Sequence, residues 1–363
     1  MKLTDLVGAM ERIAPTRFAE SWDNVGLLLG DPQQPIARVM LTIDLTRPVF
    51  EEAVEALCDV VIAYHPPIFD PLKRLIGGSL VYDVIRRGMA VYSPHTALDV
   101  AAGGTNDVLA DALFLENRRP LRPTVGRPTH AKLVTFVPRD AVEKVAAAIF
   151  AAGAGIIGDY ACCSFRSEGT GTFLGNEHTN PAVGEAGKLA RADETRIETL
   201  LTLDRIEPVL AALREAHPYE VPAYDLLTLT PESGGAGIGR IGEFAEPVER
   251  SVLVARIKRE LMIDHVLVSG PADGEVTKVA CAAGAGRSLL DDAIAQGVEL
   301  FVTGELPHHD ALRAARAGTT VVATLHSNSE RRALTRLSEM LQQQLPKLAV
   351  QVSRKDRDPF EVR

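Results

Sequence analysis

Short, almost wholly apolar runs bounded by polar clusters recur at both ends of this chain, and they limit its architecture more than any other feature. Near the start are Val39–Asp44 (VMLTID), Val60–Ala63 and Met89–Ser93; near the end are Thr277–Ala282, Glu299–Thr303 and Thr320–Leu325. Runs of this length and make-up suit strands buried on both faces, with helices between them, which is the pattern of an α/β layer. Thr46-Arg47-Pro48 reads as a helix entry with proline in the first turn, continuing to Leu57. Further helices are expected from Ser288 and His308, and Glu330–Leu345 reads as one long amphipathic helix. The opening MKLTDLVGAMERIAP spaces Leu6, Val7, Met10 and Ile13 helically and carries Asp5 and Glu11, so it is not read as a signal peptide.

Near residue 126 the texture changes. A strand at Lys132–Val137, an Ala-rich helix at Arg139–Ala152, strands at Asp159–Arg166 and Arg196–Leu203, a helix to Ala216 and a strand at Tyr224–Leu229 give the order βα, two strands, αβ. That order suggests a ferredoxin-like α+β unit. A Gly-rich linker is expected at Gly234–Gly242. The fold class is therefore α/β: residues 1–126 and 234–363 form one discontinuous domain, expected to share a sheet, and 127–233 form an inserted α+β domain.

Composition narrows function. The net charge of −9 disfavours a general grip on nucleic acid or an anionic membrane, and 5% aromatic residues with a single Trp leave few stacking platforms. No apolar run approaches the roughly 20 residues that cross a bilayer. Cys58, Cys162, Cys163 and Cys281 form no CxxC pair and read as reduced thiols, so a cytoplasmic location is expected. GxSxG, Walker A and HExxH motifs are absent as well.

Four segments carry titratable groups at strand ends. His65 leaves a strand and is followed by two stiffening prolines. His95 and Asp99 stand four apart, as do His326 and Glu330, a spacing that puts an imidazole and a carboxylate on one helix face where they could serve a divalent ion. Thr303–Asp310 (TGELPHHD) offers Glu305, His308, His309 and Asp310 as outer groups or proton carriers. Plainer readings exist: a loop histidine bonded to backbone, Asp99 answering a helix dipole, Glu330 completing a capping box. Gly284 and Gly286, between a strand and a helix, are a weak sign of a phosphate cradle.

Taken in order, SWDNVGLLLGD (Ser21–Asp31), His65-Pro66-Pro67, His95–Asp99, TGELPHHDAL (Thr303–Leu312) and His326–Glu330 resemble the dinuclear-metal-centre hexameric proteins described as GTP cyclohydrolase 1 type 2 homologues. The middle segment, ending in AHPYEVPAYD (Ala216–Asp225), is similar to the PII-like or CutA-like insertion of longer members. The resemblance implies two divalent ions (Zn, Fe, Mn, Co or Ni) held by His65, Asp99, His326 and Glu330. Tyr64 stands where many members have a second histidine, and a phenol with an unperturbed pKa of about 10 is a reluctant ligand. It further implies a toroidal homohexamer and a metal-dependent hydrolase acting on a nucleotide or similar heterocycle, with His95 and His308 moving protons. The alternative is a non-catalytic, metal-binding regulatory or scaffold hexamer.

Overall fold

A computed structural model describes residues 1–124, 128–230 and 235–362. They divide into two compact units, Met1–Gly126 with Ser233–Arg363, and Arg127–Glu232. The boundaries expected at 126/127 and 233/234 lie outside the described residues.

The first unit holds two sheets, with strands numbered β1–β15 along the whole chain. In one, Gly26–Leu29 (β1), Arg38–Thr42 (β2), Val60–Ala63 (β3), Ala90–Ser93 (β4) and Ala349–Val352 (β15) lie in the order β1-β4-β3-β2-β15. All its pairings are parallel except β1 with β4. Its apolar runs are needed because both faces are covered. Leu41, Ile62 and Tyr92 pack under the terminal helices through Leu6, Met10, Leu337 and Leu341. The alternate residues Met40, Val61 and Val91 meet Val49 and Phe50 of helix Arg47–Glu55 on the other side.

The second sheet comprises Glu116–Pro123 (β5), Gly237–Glu249 (β10), Leu267–Ser269 (β11), Glu275–Ala285 (β12), Leu300–Glu305 (β13) and Thr320–Ala323 (β14), in the order β11-β14-β13-β12-β10-β5. Here β12, β13 and β14 are parallel. Helices Thr105–Leu113 and Arg250–Leu261 cover one face and Leu290–Ala295 the other. The single shared sheet expected from the sequence is therefore two sheets, because each set of parallel strands is buried on both faces by helices of its own. The outer thirds are joined by exchange: β15 completes the N-terminal sheet and β5 edges the C-terminal one.

Two sequence expectations change here. The Gly-rich stretch expected as a linker enters β10. A Cβ on Gly237 would lie 2.5 Å from that of Pro120, and one on Gly242 would lie 2.6 Å from the Glu116 carbonyl oxygen, so these glycines let β10 lie close against β5. The expected long helix from Glu330 is a short helix, His326–Glu330, followed by Arg332–Gln344.

The second unit is an antiparallel sheet of His130–Pro138 (β6), Ser164–Leu174 (β7), Leu189–Thr202 (β8) and Tyr224–Thr228 (β9), ordered β7-β8-β6-β9. Helices Val142–Ala151 and Ile206–Ala216 pack on one face through Val145, Ile149, Val209 and Leu213 against Leu133, Ile197 and Leu201. The strand expected at Asp159–Arg166 starts at Ser164 instead and runs through Gly169 and Gly171. Among the described residues no helix is long and apolar enough to cross a membrane.

Candidate metal centre

Carboxyl ends of parallel strands are where α/β sheets place their functional groups, and in the first unit both sheets contribute such ends to one place. Asp44 lies just beyond β2, Tyr64 and His65 directly follow β3, and Ser93-Pro94 leads from β4 into the helix His95–Val100. From the other sheet come Gly284 near the end of β12, Glu305 closing β13, and the helix His326–Glu330 after β14. The turns that launch both short helices contain non-glycine residues with positive φ, His95 at 26° and Leu325 at 69°. Such conformations persist where the surrounding packing fixes them, and they gather at functional sites.

His65, His326 and Glu330 form a cluster whose ligand atoms lie within 4.8 Å of one another, and it could hold a metal ion. His326 Nε2 is 3.2 Å from Glu330 Oε1, and His65 Nε2 is 3.3 Å from Glu330 Oε2. The latter two atoms are buried and are not in hydrogen-bond geometry with any partner. The His65 imidazole and the Glu330 carboxylate therefore face each other as a buried ion pair, and an entering metal ion would take the place of the proton between them. Gly284 (φ 63°) makes the room, since a Cβ there would come within 2.7 Å of Glu330 Oε1 and 3.2 Å of His326 Nε2. Of the two glycines that suggested a phosphate cradle, Gly284 has this role, whereas Gly286 gives way to Thr303 and Phe301. The backbone N–H of Gly284 donates to Ser329 Oγ at 2.8 Å, fixing the strand end against the short helix.

Each histidine of the site is oriented by a carboxylate on its Nδ1: His65 by Asp44 at 2.9 Å, His326 by Glu305 at 3.1 Å and His95 by Asp23 at 2.7 Å. Outer carboxylates of this kind set the tautomer so that Nε2 faces the site. Burial alone would push the His65 imidazole down, yet its contacts with Asp44 and Glu330 raise it to about 10. For His326 the Glu330 contact dominates and raises it to about 9. Burial works to raise Glu330, but the two imidazoles outweigh it and hold the carboxyl below its ordinary value.

Asp99 and Tyr64 form the adjoining part. The Tyr64 hydroxyl donates to Asp99 and lies 3.1 Å from Thr105 Oγ1. Burial, with the charge of Glu330, raises the Asp99 carboxyl to about 6. Burial and both carboxylates hold the Tyr64 phenol well above its usual range, so it stays protonated at neutral pH. The His95 ring stands 5.3 Å from that of His65 and 5.9 Å from that of Tyr64.

The structure thus brings together Tyr64, His65, His95, Asp99, His326 and Glu330. It does not bring in His308, which is exposed at the start of helix His308–Arg316 with its ring against His309. Pro307 turns the chain into that helix, and the residue of the segment that reaches the cluster is Glu305. Sequence reasoning missed Asp23 and Asp44 as orienting groups. The signal was present, because Asp44 follows β2 as His65 follows β3, one parallel strand away.

A two-sheet α/β fold with a His–His–Glu cluster where parallel strands end defines a candidate metalloprotein. The chain belongs to the Duf34/NIF3 (NGG1p interacting factor 3) family, whose profile matches residues 1–359. It is similar to the GTP cyclohydrolase 1 type 2 homolog of Bacillus subtilis (strain 168), 36% identical over 362 residues, covering 98% of this chain and 97% of that relative. The protein of the same description from Mycobacterium tuberculosis (strain ATCC 25618 / H37Rv) is 37% identical over 337 residues, 91% of this chain and 88% of its own. Among solved structures, Staphylococcus aureus protein SA1388 matches with a TM-score of 0.85 at 28% identity, and a Bacillus cereus protein related to NIF3 with 0.73 at 33%; each match covers 100% of this chain and 99% of the other.

Proposed function

We propose that the protein is a metal-dependent hydrolase of nucleotides or similar heterocycles, with two divalent ions at the cluster. The observation that carries this reading is the incomplete ligand set. Two imidazoles and one carboxylate converge with their ligand atoms within 4.8 Å of one another, and three protein ligands are the number that catalytic zinc sites use, with the remaining position left to water or substrate. The His65 and His326 side chains remain 22% and 37% exposed, so a substrate can reach them. His65, His326 and Glu330 would hold one ion; Asp99, with the Tyr64 oxygen beside it, would hold the second, and Glu330 would serve both. A divalent ion there supplies Lewis acidity toward water and a substrate oxygen. The mixed nitrogen and oxygen donors suit Zn, Fe, Mn, Co or Ni alike.

His95, fixed through Nδ1 on Asp23, offers its Nε2 to move a proton as a bond in the substrate opens. With His308 out on the surface, this role rests on His95. Trp22 and Phe69, 58% and 50% exposed with ring centroids 6.0 Å apart, flank the site, and Trp22 stands 6.1 Å from the His95 ring. They offer a flat heterocycle a surface to stack on. The names of the Bacillus and Mycobacterium relatives make GTP the first compound to try. The second unit is read as a ferredoxin-like insertion into a discontinuous metal-binding domain, and the assembly as a toroidal homohexamer, which light scattering tests directly.

The deciding experiment measures native metal content, then formate release from GTP with and without chelator. Release that stops with chelator and returns with added metal supports the reading. A metal-replete protein that releases none excludes the cyclohydrolase reaction, and failure across a nucleotide screen leaves the regulatory, metal-binding role. Because Trp22 is the chain's single tryptophan, quenching of its emission reports nucleotide binding independently of turnover.

A further inference from the structure

The second unit contains a cleft of about 600 Å³ that the metal centre does not involve. Its floor is the sheet face opposite the two helices. Residues paired across an antiparallel ladder share a face. Thus Ser167, Gly169, Gly171 and Phe173 of β7 lie on the same side as their partners Arg196, Glu194, Ala192 and Ala190 of β8. Two glycines in alternate positions hollow this floor. Phe136, Phe173 and Tyr219 supply aromatic walls, and Thr179 with Pro181 closes one side.

Glu194 lies at the bottom. It is 8% exposed, accepts a hydrogen bond from the Tyr219 hydroxyl at 2.9 Å through Oε1, and among the described residues no Lys or Arg lies within 4 Å of its carboxylate. Gly171 is what lets it sit there, because a Cβ at that position would collide with the Glu194 carboxylate. A buried carboxylate with one neutral donor is poorly compensated. The rest of the lining does not supply the missing charge. Glu168 and Glu220 add two more carboxylates against one guanidinium in the lining, Arg196, which is drawn toward Glu198 at 2.8 Å, a carboxylate that Lys132 also holds at 2.7 Å. Aromatic faces around an unpaired carboxylate are the surroundings that hold organic cations.

We propose that this cleft binds a small organic cation, a protonated amine or amidine carried on a flat apolar body. The nitrogen pairs with the free Oε2 of Glu194, and the body lies over the two glycines, against the paired rings of Phe173 and Tyr219, whose centroids stand 6.1 Å apart. This places a ligand site in the second unit that is separate from the metal centre and uses none of its residues.

Benzamidinium, benzamide and benzoate share a shape and differ in charge, so calorimetric titration of each into the full-length protein tests the proposal. Benzamidinium should bind at least about tenfold tighter than benzamide, equivalent to about 1.4 kcal/mol, and benzoate should not bind. Glu194→Gln keeps an acceptor for Tyr219 and should erase that preference. Gly169→Val should block binding altogether, since a Cβ there meets nothing within 4 Å and the added methyls occupy the cleft. Equal affinity for benzamidinium and benzamide would overturn the proposal. So would benzamidinium binding that survives Gly169→Val, which would place the probe elsewhere. A shift of oligomeric state in Gly169→Val would also overturn it, by showing that a second copy of the chain fills the cleft.

Discussion

At the scale of single residues, the site is a set of protons waiting to be displaced. With both imidazoles raised, His65 to about 10 and His326 to about 9, the metal-free protein carries a proton on each at pH 7. An entering ion must expel them, so metal affinity should rise as pH increases toward 9, with proton release measurable by calorimetry in buffers of different ionisation enthalpy. An affinity that is flat between pH 6 and 9 would mean these nitrogens are not ligands. Asp44→Asn should lower metal affinity by about 10- to 100-fold without unfolding the protein, because it removes the negative charge that fixes the His65 tautomer and raises the basicity of the ring. Glu330→Gln should do more, losing charge where both imidazoles converge. Tyr64→His is the opposite test: it places a ligand that is neutral near pH 7 beside Asp99, and equilibrium dialysis should show a gain at one site only.

At the scale of elements, the short helix carrying His95 and Asp99 is anchored from below by a buried ion pair. Arg240 of β10, 2% exposed, donates to both oxygens of Asp107 at 2.6 and 2.7 Å, to the carbonyl oxygens of Gly237 and Gly239, and at 3.3 Å to Ala101, the residue that ends that helix. Arg240→Ala strands Asp107 and several carbonyls, and should cost about 3–5 kcal/mol in denaturant unfolding. A loss under 1 kcal/mol would show that water replaces the guanidinium. Nothing in the sequence marked Arg240, since a lone arginine in a Gly-rich stretch looks like linker. The strands with largely apolar runs, β2, β3, β4, β13 and β14, were legible because burial on both faces leaves no alternation to misread. Strands β5, β7 and β10 were not, because polar residues, prolines and glycines there answer to neighbouring backbones far along the chain. Likewise the His and Glu members of the cluster were legible from spacing at strand ends, whereas Asp23 and Asp44 become functional only through a ring nitrogen 72 and 21 residues away.

At the scale of the molecule, each residue of the candidate metal cluster and each carboxylate orienting it belongs to the first unit, while the second has a core of its own, from Leu133 and Val145 to Ile197 and Leu213. The chain leaves the first unit from β5 and re-enters it at β10, and these two strands are antiparallel neighbours, with Pro123 opposite Gly237 and the Thr124 N–H on the Ala236 carbonyl oxygen at 3.2 Å. That is the strand pairing of a β-hairpin, with the residues of the second unit standing in sequence where its turn would be. Exchanging residues 125–235 for Asn-Gly, a pair suited to a two-residue hairpin turn, should therefore yield a shorter protein that unfolds cooperatively and binds metal with unchanged affinity. The excised segment 128–230, expressed alone, should melt as a unit of about 100 residues. If the hairpin variant folds but no longer takes up metal, the second unit contributes to the centre, and the division of labour drawn here is wrong.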